Sequence, residues 1–186
     1  MIQKCDGRVD QEVRGERAAG IHGVDCIWIE ARHTSRMPQS LANVLVHLVF
    51  STKERVPLIN DAWRGDMHAY IGGIIRRRGT NLLAANSVAD HIHLLFPLPR
   101  TITIADLVRE IKTGSALWTH GRNVAPMPFH WQAGYGIFSV SPQHRAVVMR
   151  YIANQEKHHQ TVSFQDEFRQ LLSEHDIAFD ENYVWE

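Results

Sequence analysis

The pattern of apolar and polar positions divides the chain into short strands that alternate with longer amphipathic segments. Residues 44–50 read Val-Leu-Val-His-Leu-Val-Phe, a largely apolar run that is typical of a central strand. Residues 81–88 and 91–96 are two further strand candidates, joined by a short turn at residues 89–90. A fourth candidate follows at residues 135–140, so the pattern predicts four strands.

Helical periodicity and capping residues predict four helices around these strands, at residues 60–78, 104–120, 141–159 and 163–175. The first three begin at Asn60, Thr103 and Ser141, residue types that cap helix N-termini by accepting backbone hydrogen bonds. Gly79 and Gly121 stand where the first two helices should stop, because glycine readily adopts the left-handed conformation that ends helices.

The order of these elements, β-α-β-β-α-β-α-α, indicates an α+β fold. A hairpin flanked by two crossover helices is typical of a ferredoxin-like or RRM-like antiparallel sheet with helices on one face, here followed by C-terminal helices. The 186 residues are enough for one domain, and no apolar run is long enough to cross a bilayer. The charged segment 7–19 does not resemble a signal peptide, so the sequence predicts a cytoplasmic protein without a membrane partner.

Residues 1–36 differ from the rest because they mix glycines, charges and single apolar residues without a clear period. We therefore divide the chain into an N-terminal extension, residues 1–36, and a domain, residues 37–186. The extension has three interpretations: a flexible arm, a short added element, or sequence translated upstream of the native start. The segment Met-Pro-Gln-Ser at residues 37–40 reads as a natural beginning and favours the last of these.

Charge is distributed unevenly, although the formal net charge of the whole chain is zero. Residues 37–165 contain 13 Lys/Arg against 7 Asp/Glu, a surplus of +6. Residues 166–186 contain 7 acidic residues against Arg169 alone. A basic middle segment keeps phosphate binding open, so the zero overall charge does not exclude a nucleic-acid partner.

Two histidines share one face of the strand at residues 91–96. Successive side chains of a strand point to opposite faces, so His91 and His93 project together. Ile92, Leu94 and Phe96 point the other way and suit burial. The two imidazoles are about 6–7 Å apart along the strand and can both reach one metal ion. Alternatively, both are hydrogen-bonded in or near a core, and this segment alone does not decide between the two.

A second pair of polar residues lies in the helix predicted after Ser141. Tyr151 and Gln155 are four residues apart and therefore share a helix face. Tyrosine is a weak nucleophile because its pKa is about 10, but a metal ion that withdraws charge from a phosphate makes its attack feasible. A glutamine oxygen is a suitable ligand for a hard divalent ion. The plainer interpretation is an aromatic residue at the edge of the core beside a solvated glutamine.

Taken together, these segments resemble the single-tyrosine HUH transposases of the insertion sequence 200/605 group. The resemblance covers residues 37–185. The segments that carry it are Pro38–Leu41, His47–Lys53, Asp90–Leu95, Trp131–Gly136, Phe138–Ser141 and Tyr151–Gln155, with His158 and His159 beyond them. A lone His-x-His is a weak signal, whereas the pair combined with a downstream Tyr-x-x-x-Gln and a Gly-Tyr-Gly-x-Phe-Ser-Val-Ser segment is specific.

The resemblance implies a role for each matching residue. His91 and His93 are the metal-binding pair, and Gln155 is the third protein ligand of a Mg²⁺ or Mn²⁺ ion. Tyr151, on a C-terminal catalytic helix, is the nucleophile that forms a 5′-phosphotyrosine link. Two nitrogen ligands suit manganese at least as well as magnesium, so the identity of the ion stays open.

The same resemblance implies partners for the domain. Single-stranded DNA with hairpin ends is the expected substrate. The expected assembly is a homodimer in which the tyrosine helix of one subunit completes the active site of the other.

Seven basic residues of the middle segment are candidate phosphate contacts. They are Lys53, Arg55, Arg76, Arg77, Arg78, Lys112 and Arg122. Lys53 follows a core strand and Lys112 lies on the helix after the histidines, which favours these two. A solvated charged surface is the alternative interpretation of each residue.

Other side chains near these motifs also have two interpretations. Trp118, Trp131 and Tyr135 either stack on exposed bases or pack in the core, and core packing is favoured. His158 and His159 lie one turn past the glutamine, where they either touch the site or stabilise a helix end, which is the favoured interpretation.

Three functions follow from this sequence. The first is a metal-dependent transposase that cuts and rejoins single-stranded DNA, the second a non-catalytic, domesticated protein of the same fold that binds hairpin DNA. The third is a metal-dependent phosphodiesterase that uses an activated water. The complete set of His91, His93, Tyr151 and Gln155 favours the transposase.

Overall fold

The centre of the fold is a four-stranded antiparallel sheet. The computed structural model describes residues 41–185, so the predictions made for residues 1–36 lie outside the described chain. The strands are β1 (Leu45–Ser51), β2 (Ala84–Ser87), β3 (His91–Pro97) and β4 (Gly136–Val140). They lie in the order β2-β3-β1-β4, with every neighbouring pair antiparallel. This arrangement, with one helix after β1 and one after β3, confirms the predicted α+β, ferredoxin-like class.

Five helices accompany the sheet in the described part of the chain. They are α1 (Arg64–Arg77), α2 (Ile104–Arg122), α3 (Arg145–Ala153), α4 (Gln155–His158) and α5 (Phe164–Glu174). None of these helices is both long and apolar enough to span a membrane.

Strand β1 is buried along its whole length because both faces of the sheet are covered. Its even-numbered residues and those of β3 pack against α1 and α2, in a core that includes Leu48, Phe50, Met67, Ile71, Ile92 and Ile111. Its odd-numbered residues point to the opposite face. There Val49 and Phe138 pack against the apolar residues of α5, namely Phe164, Phe168, Leu171 and Leu172. The sheet therefore separates two cores.

Two helix boundaries differ from the sequence prediction for local reasons. The Oδ1 atom of Asn60 accepts a hydrogen bond from the Ala62 amide at 3.0 Å, so it caps a turn, and α1 itself begins at Arg64. Helix α2 continues past Gly121, and Asn123 ends it in the left-handed conformation at φ 50°. Asparagine tolerates this conformation better than most residues, so it replaces the expected glycine.

The helix predicted over residues 141–159 is interrupted. Asn154, at φ −99° and ψ 15°, separates α3 from α4. The side chain of Asn86 on β2 reaches across to this break. Its Nδ2 atom donates to the carbonyl oxygens of Ile152 at 3.0 Å and Ala153 at 3.3 Å. A sheet residue therefore fixes the point at which the helix ends.

A glycine in β4 allows α5 to approach the sheet. A Cβ atom at Gly136 would lie 2.7 Å from Cε2 of Phe168 and 2.9 Å from Cε2 of Phe138. We predict that Gly136→Ala lowers the free energy of unfolding by about 1–3 kcal/mol, as overpacking does elsewhere. Urea denaturation measures the effect.

The matched control is Gly73→Ala in α1, where a Cβ atom would meet nothing within 4 Å. Alanine is favoured over glycine in a helix, so this variant should gain about 0.5–1 kcal/mol. Equal stabilities of the two variants would contradict the close approach of α5 to β4.

Candidate functional site

The histidines of β3 lie in the sheet face that α3 and α5 cover. His91 and His93 are 1% and 0% exposed. Nδ1 of His91 donates to Oδ1 of Asp90 at 2.8 Å, and Nδ1 of His93 lies 3.0 Å from Nε2 of His47 on β1. Each ring is thus held by its Nδ1 atom and turns its Nε2 atom toward α5. Metal-binding histidines are commonly oriented by such hydrogen bonds.

Glu167 on α5 faces this histidine pair. Its Oε2 atom lies 3.4 Å from Nε2 of His93 and 3.8 Å from Nε2 of His91. His159, in the loop before α5, has its Nε2 atom 3.2 Å from the same oxygen. One ligand atom from each of the four residues lies within 4.8 Å of the others, a spacing at which a metal ion could be held.

Tyr151 and Gln155 join the site through the other oxygen of the same carboxylate. The hydroxyl of Tyr151 donates to Oε1 of Glu167, and Nε2 of Gln155 donates to Oε1 at 3.0 Å. The ring centroid of Tyr151 is 6.1 Å from those of both His47 and His93. The break at residue 154 therefore does not separate the two side chains.

Several buried polar atoms of the site have no hydrogen-bond partner within residues 41–185. They are Nε2 of His93, Oε1 of Gln155, Nε2 of His158 and Oε2 of Glu167. Buried polar groups are normally paired, so unpaired acceptors beside the histidine pair suit a cation. The site thus has the donor chemistry for a divalent metal ion, and its histidine pair and glutamine oxygen are the residues predicted to hold it.

Burial favours the neutral form of His47, His91 and His93, whereas the pKa of His159 is raised, against the effect of its burial, by the carboxylate of Glu167. Burial lowers the pKa of His47 to about 3 and that of His91 to about 4, although Asp90 raises the latter. Burial also lowers the pKa of His93. Neutral imidazole is the form that binds a metal ion.

The pKa values of Tyr151, the nucleophile candidate, and of the Glu167 carboxyl shift in opposite directions. Burial and the adjacent Glu167 raise the pKa of Tyr151. Burial disfavours the charge of Glu167, yet the adjacent imidazoles of His159 and His93 hold the pKa of this carboxyl below its usual range. Glu167 is therefore an anion, and Tyr151 keeps its proton in this arrangement.

Two openings lead from the surface to Tyr151. A cleft of about 420 Å³ is lined by Tyr151 and Glu167 together with Phe138 and Val147. A shallower groove on the other side of the tyrosine is lined by residues that include Arg150 and Lys157. These two exposed cations were not among the candidates from sequence, and only their positions, one residue before and six residues after Tyr151, could have indicated them.

The basic candidates from sequence are spread over different parts of the surface. Lys53 and Arg55 follow β1 as exposed residues, and Arg55 helps to lower the pKa of Asp90 beside His91. Arg76 and Arg77 are exposed at the end of α1. These four side chains are accessible to a phosphate backbone.

The other three basic candidates have partners within the domain. Arg78 forms a two-pronged ion pair with Glu110, and Arg122 stacks on Trp118 at 5.3 Å. The ammonium of Lys112 donates to three carbonyl oxygens of the loop 132–134. Lys112 therefore supports a loop in this arrangement.

The aromatic candidates divide between core and surface. Trp131 is 9% exposed and packs in the first core, with Trp118 against it, in agreement with the favoured interpretation. Tyr135 is 39% exposed and lies beside Lys112.

Three residues of the site were missed from sequence: His47, Asn86 and Glu167. A signal existed for Glu167, because it interrupts the apolar stripe of α5 at a position three residues after Phe164. An acid in a buried stripe indicates a partner for its charge. His47 also had a signal, since it interrupts the apolar run of β1 on the face opposite Leu48. We find no sequence signal for Asn86.

The domain carries a histidine pair on one strand of a ferredoxin-like sheet. A C-terminal helix places a tyrosine beside that pair. These features define the class of histidine-pair, single-tyrosine domains. The family model described as "Transposase IS200 like" matches residues 40–155, more than half of the chain. The chain therefore belongs to the IS200-like transposase family, which confirms the resemblance inferred from the motifs.

Individual relatives agree with this assignment. The chain is 26% identical over 123 residues to the transposase for insertion sequence element IS200 of Salmonella typhimurium, an alignment that covers 61% of this chain and 77% of the relative. The same values hold for the Salmonella typhi protein.

Two solved structures share the fold. A candidate transposase from Deinococcus radiodurans R1 aligns with a TM-score of 0.50 and 24% identity, over 63% of this chain and 95% of the other. A REP-associated tyrosine transposase bound to a REP hairpin aligns with a TM-score of 0.50 and 16% identity, over 67% and 73%.

The contact between His47 and His93 has a measurable consequence. We predict that His47→Phe weakens binding of Mn²⁺ about 10- to 100-fold, because the ring of His93 loses the hydrogen bond that orients it. Isothermal titration of the metal-free protein measures this affinity. The control is His175→Phe, because His175, like His47, packs on Phe138 but is not the residue that orients the ring of His93. Equal affinities of the two variants would contradict an orienting role.

Proposed function

We propose that this transposase cleaves and rejoins single-stranded DNA at the ends of an insertion sequence through a 5′-phosphotyrosine intermediate. The observation that carries the proposal is the convergence of Tyr151 with the histidine pair. The nucleophile candidate, on α3, and His93, on β3, contact the same carboxylate, that of Glu167. A tyrosine so close to two neutral, oriented imidazoles is hard to explain as packing alone.

The residues of the site suit a divalent metal ion, Mg²⁺ or Mn²⁺. His91, His93 and the unpaired oxygen of Gln155 would hold it. When bound, such an ion stabilises the negative charge that develops on the phosphoryl oxygens during attack.

The chain's own residues set up the nucleophile. The hydroxyl oxygen of Tyr151 forms the new bond to phosphorus, and the bond from phosphorus to the 3′-oxygen breaks and leaves a 3′-hydroxyl. The tyrosine must lose its proton in this step, and its O–H already points at Oε1 of Glu167. Attack by a 3′-hydroxyl on the phosphotyrosine reverses the chemistry, so rejoining needs no external energy source.

Single-stranded DNA with hairpin ends is the proposed partner. A structural relative is bound to a REP hairpin, and the groove beside Tyr151 is lined by residues that include the exposed Arg150 and Lys157. Lys53, Arg55, Arg76 and Arg77 are further proposed phosphate contacts on the accessible surface. Basic side chains at two separate regions would allow one part of the DNA to be held while another enters the site.

The first prediction of this proposal concerns the covalent intermediate. Incubation with single-stranded DNA from the element's own ends and Mn²⁺ should give an adduct that survives denaturing electrophoresis. Tyr151→Phe should abolish the adduct because it lacks the attacking oxygen, and His91→Ala should do so because it lacks a metal ligand. The matched control is Tyr183→Phe, which alters an exposed tyrosine near the C-terminus and should leave the adduct unchanged.

The two alternative functions give other outcomes in the same assay. Tight hairpin binding without any adduct would support a domesticated, non-catalytic protein. Sustained DNA cleavage by Tyr151→Phe would support a phosphodiesterase that activates water. Either result would overturn the phosphotyrosine mechanism.

The resemblance also predicts a homodimer with sites completed in trans, and this stays a prediction. A single chain, however, already brings Tyr151 within hydrogen-bond contact of Glu167, which faces the histidines of the same chain. We therefore propose that a site can also be completed in cis.

Mixed subunits distinguish the two arrangements. Tyr151→Phe and His91→Ala each inactivate a different half of the site, so a mixed dimer contains one intact site only if tyrosine and histidines come from different subunits. With cis sites, we expect verified mixed dimers to form no adduct. Recovery of the adduct would instead support the trans arrangement.

A further inference from the structure

Two imidazoles of the site face each other through their Nε2 atoms. Nε2 of His91 lies 2.8 Å from Nε2 of His159. Nδ1 of His91 must carry its proton, because it donates to the ionised carboxylate of Asp90. Nδ1 of His159 must also carry a proton, because it donates to the carbonyl oxygen of Val162 at 2.9 Å. In the neutral rings, both Nε2 atoms therefore present lone pairs to each other.

The same point receives a negative charge. Oε2 of Glu167 is 3.2 Å from Nε2 of His159 and has no hydrogen-bond partner in the described chain. Glu167 is 1% exposed, and its ion-pair partners within residues 41–185 are imidazoles, all of which belong to the site. A buried carboxylate without lysine or arginine partners needs another source of positive charge.

A divalent cation satisfies all of these atoms together. A proton on Nε2 of His159, 2.8 Å from Nε2 of His91 and 3.2 Å from Oε2 of Glu167, would serve only these two atoms and would leave Nε2 of His93 unpaired. Ligand atoms about 2.1 Å from a shared ion lie about 3–4 Å apart, which matches the separations of 3.2, 3.4 and 3.8 Å from Oε2 to the three imidazoles.

We propose that His159 and Glu167 are additional protein ligands of the divalent ion, beyond the histidine pair and the glutamine. The inference rests on the proposed function only in assuming a divalent ion at the histidine pair. Three imidazoles and one carboxylate form a set that binds first-row transition metals more tightly than magnesium. The site therefore holds Mn²⁺, or a similar ion, before any DNA is present.

The proposed ligand also links the metal to the nucleophile. Oε1 of Glu167 is occupied by Tyr151 and Gln155, and Oε2 faces the histidines. One carboxylate thus bridges the two halves of the site. Because α5 carries it, the metal ties this helix to β3.

The experiment is a Mn²⁺ titration of the metal-free, full-length protein, followed by the loss of the electron paramagnetic resonance signal of free Mn²⁺. We expect Glu167→Gln and His159→Asn each to weaken binding at least about 10-fold, as loss of a metal-site residue does. The matched control is Glu174→Gln on the same helix, which removes an exposed carboxylate that bonds Gln170 and should not change the affinity. Circular dichroism confirms that each variant is folded.

A measurement on the unmodified protein guards against variants that do not fold. Pulsed electron paramagnetic resonance of the Mn²⁺-loaded protein counts the coordinated imidazole nitrogens. Three nitrogens support the proposal, and two would overturn the part played by His159. In competition, Mg²⁺ should displace Mn²⁺ only at a large excess, and displacement at equal concentration would overturn the transition-metal preference.

The outcomes separate this proposal from the proposed function. Unchanged affinity in Glu167→Gln and His159→Asn, with loss of binding in His91→Ala, would overturn the additional ligands and leave the histidine-pair site standing. Binding that does not depend on His91 would instead overturn the metal site of the proposed function. In the adduct assay, the Tyr151→Phe variant tests the nucleophile separately from both, because this substitution removes no metal ligand.

Discussion

The buried negative charge of Glu167 is the interaction on which the site depends. Its carboxylate accepts hydrogen bonds from Tyr151 and Gln155 on one oxygen and faces the imidazoles of His93 and His159 with the other. A charge in this position is costly to bury alone, so every neighbouring group must supply a donor or a cation. The requirement gathers residues from β3, from both sides of the α3–α4 break and from α5 around one point.

The sheet allows these residues to meet because its two faces carry different kinds of side chains. The face toward α1 and α2 is largely apolar and supplies a large core. The opposite face combines a smaller apolar cluster under α5 with the polar row of His47, His91 and His93. The first core can therefore stabilise the domain, while the second face accepts buried polar groups. Strand alternation separates the two along the same stretch of β1 and β3.

The local part of this arrangement was predictable from sequence and the long-range part was not. The period of two in residues 91–96 placed His91 and His93 on one face, and the structure has them there. The ferredoxin-like class followed from the element order, and it is confirmed. The break at Asn154 was not foreseen, because a residue from β2, Asn86, helps to fix it. Contacts between elements distant in sequence leave little trace in a local pattern.

Charge counting along the chain shows the same limit. Glu167 was counted with the acidic C-terminal segment, as though all of those acids were on the surface. Ser163 caps α5 by accepting from the Asp166 amide, and this start turns Glu167 inward with Phe164 and Phe168. Its charge therefore belongs to the site and not to the surface of the tail. The phase of a single helix, set by its cap, decides whether an acid adds to the surface charge or completes a buried site.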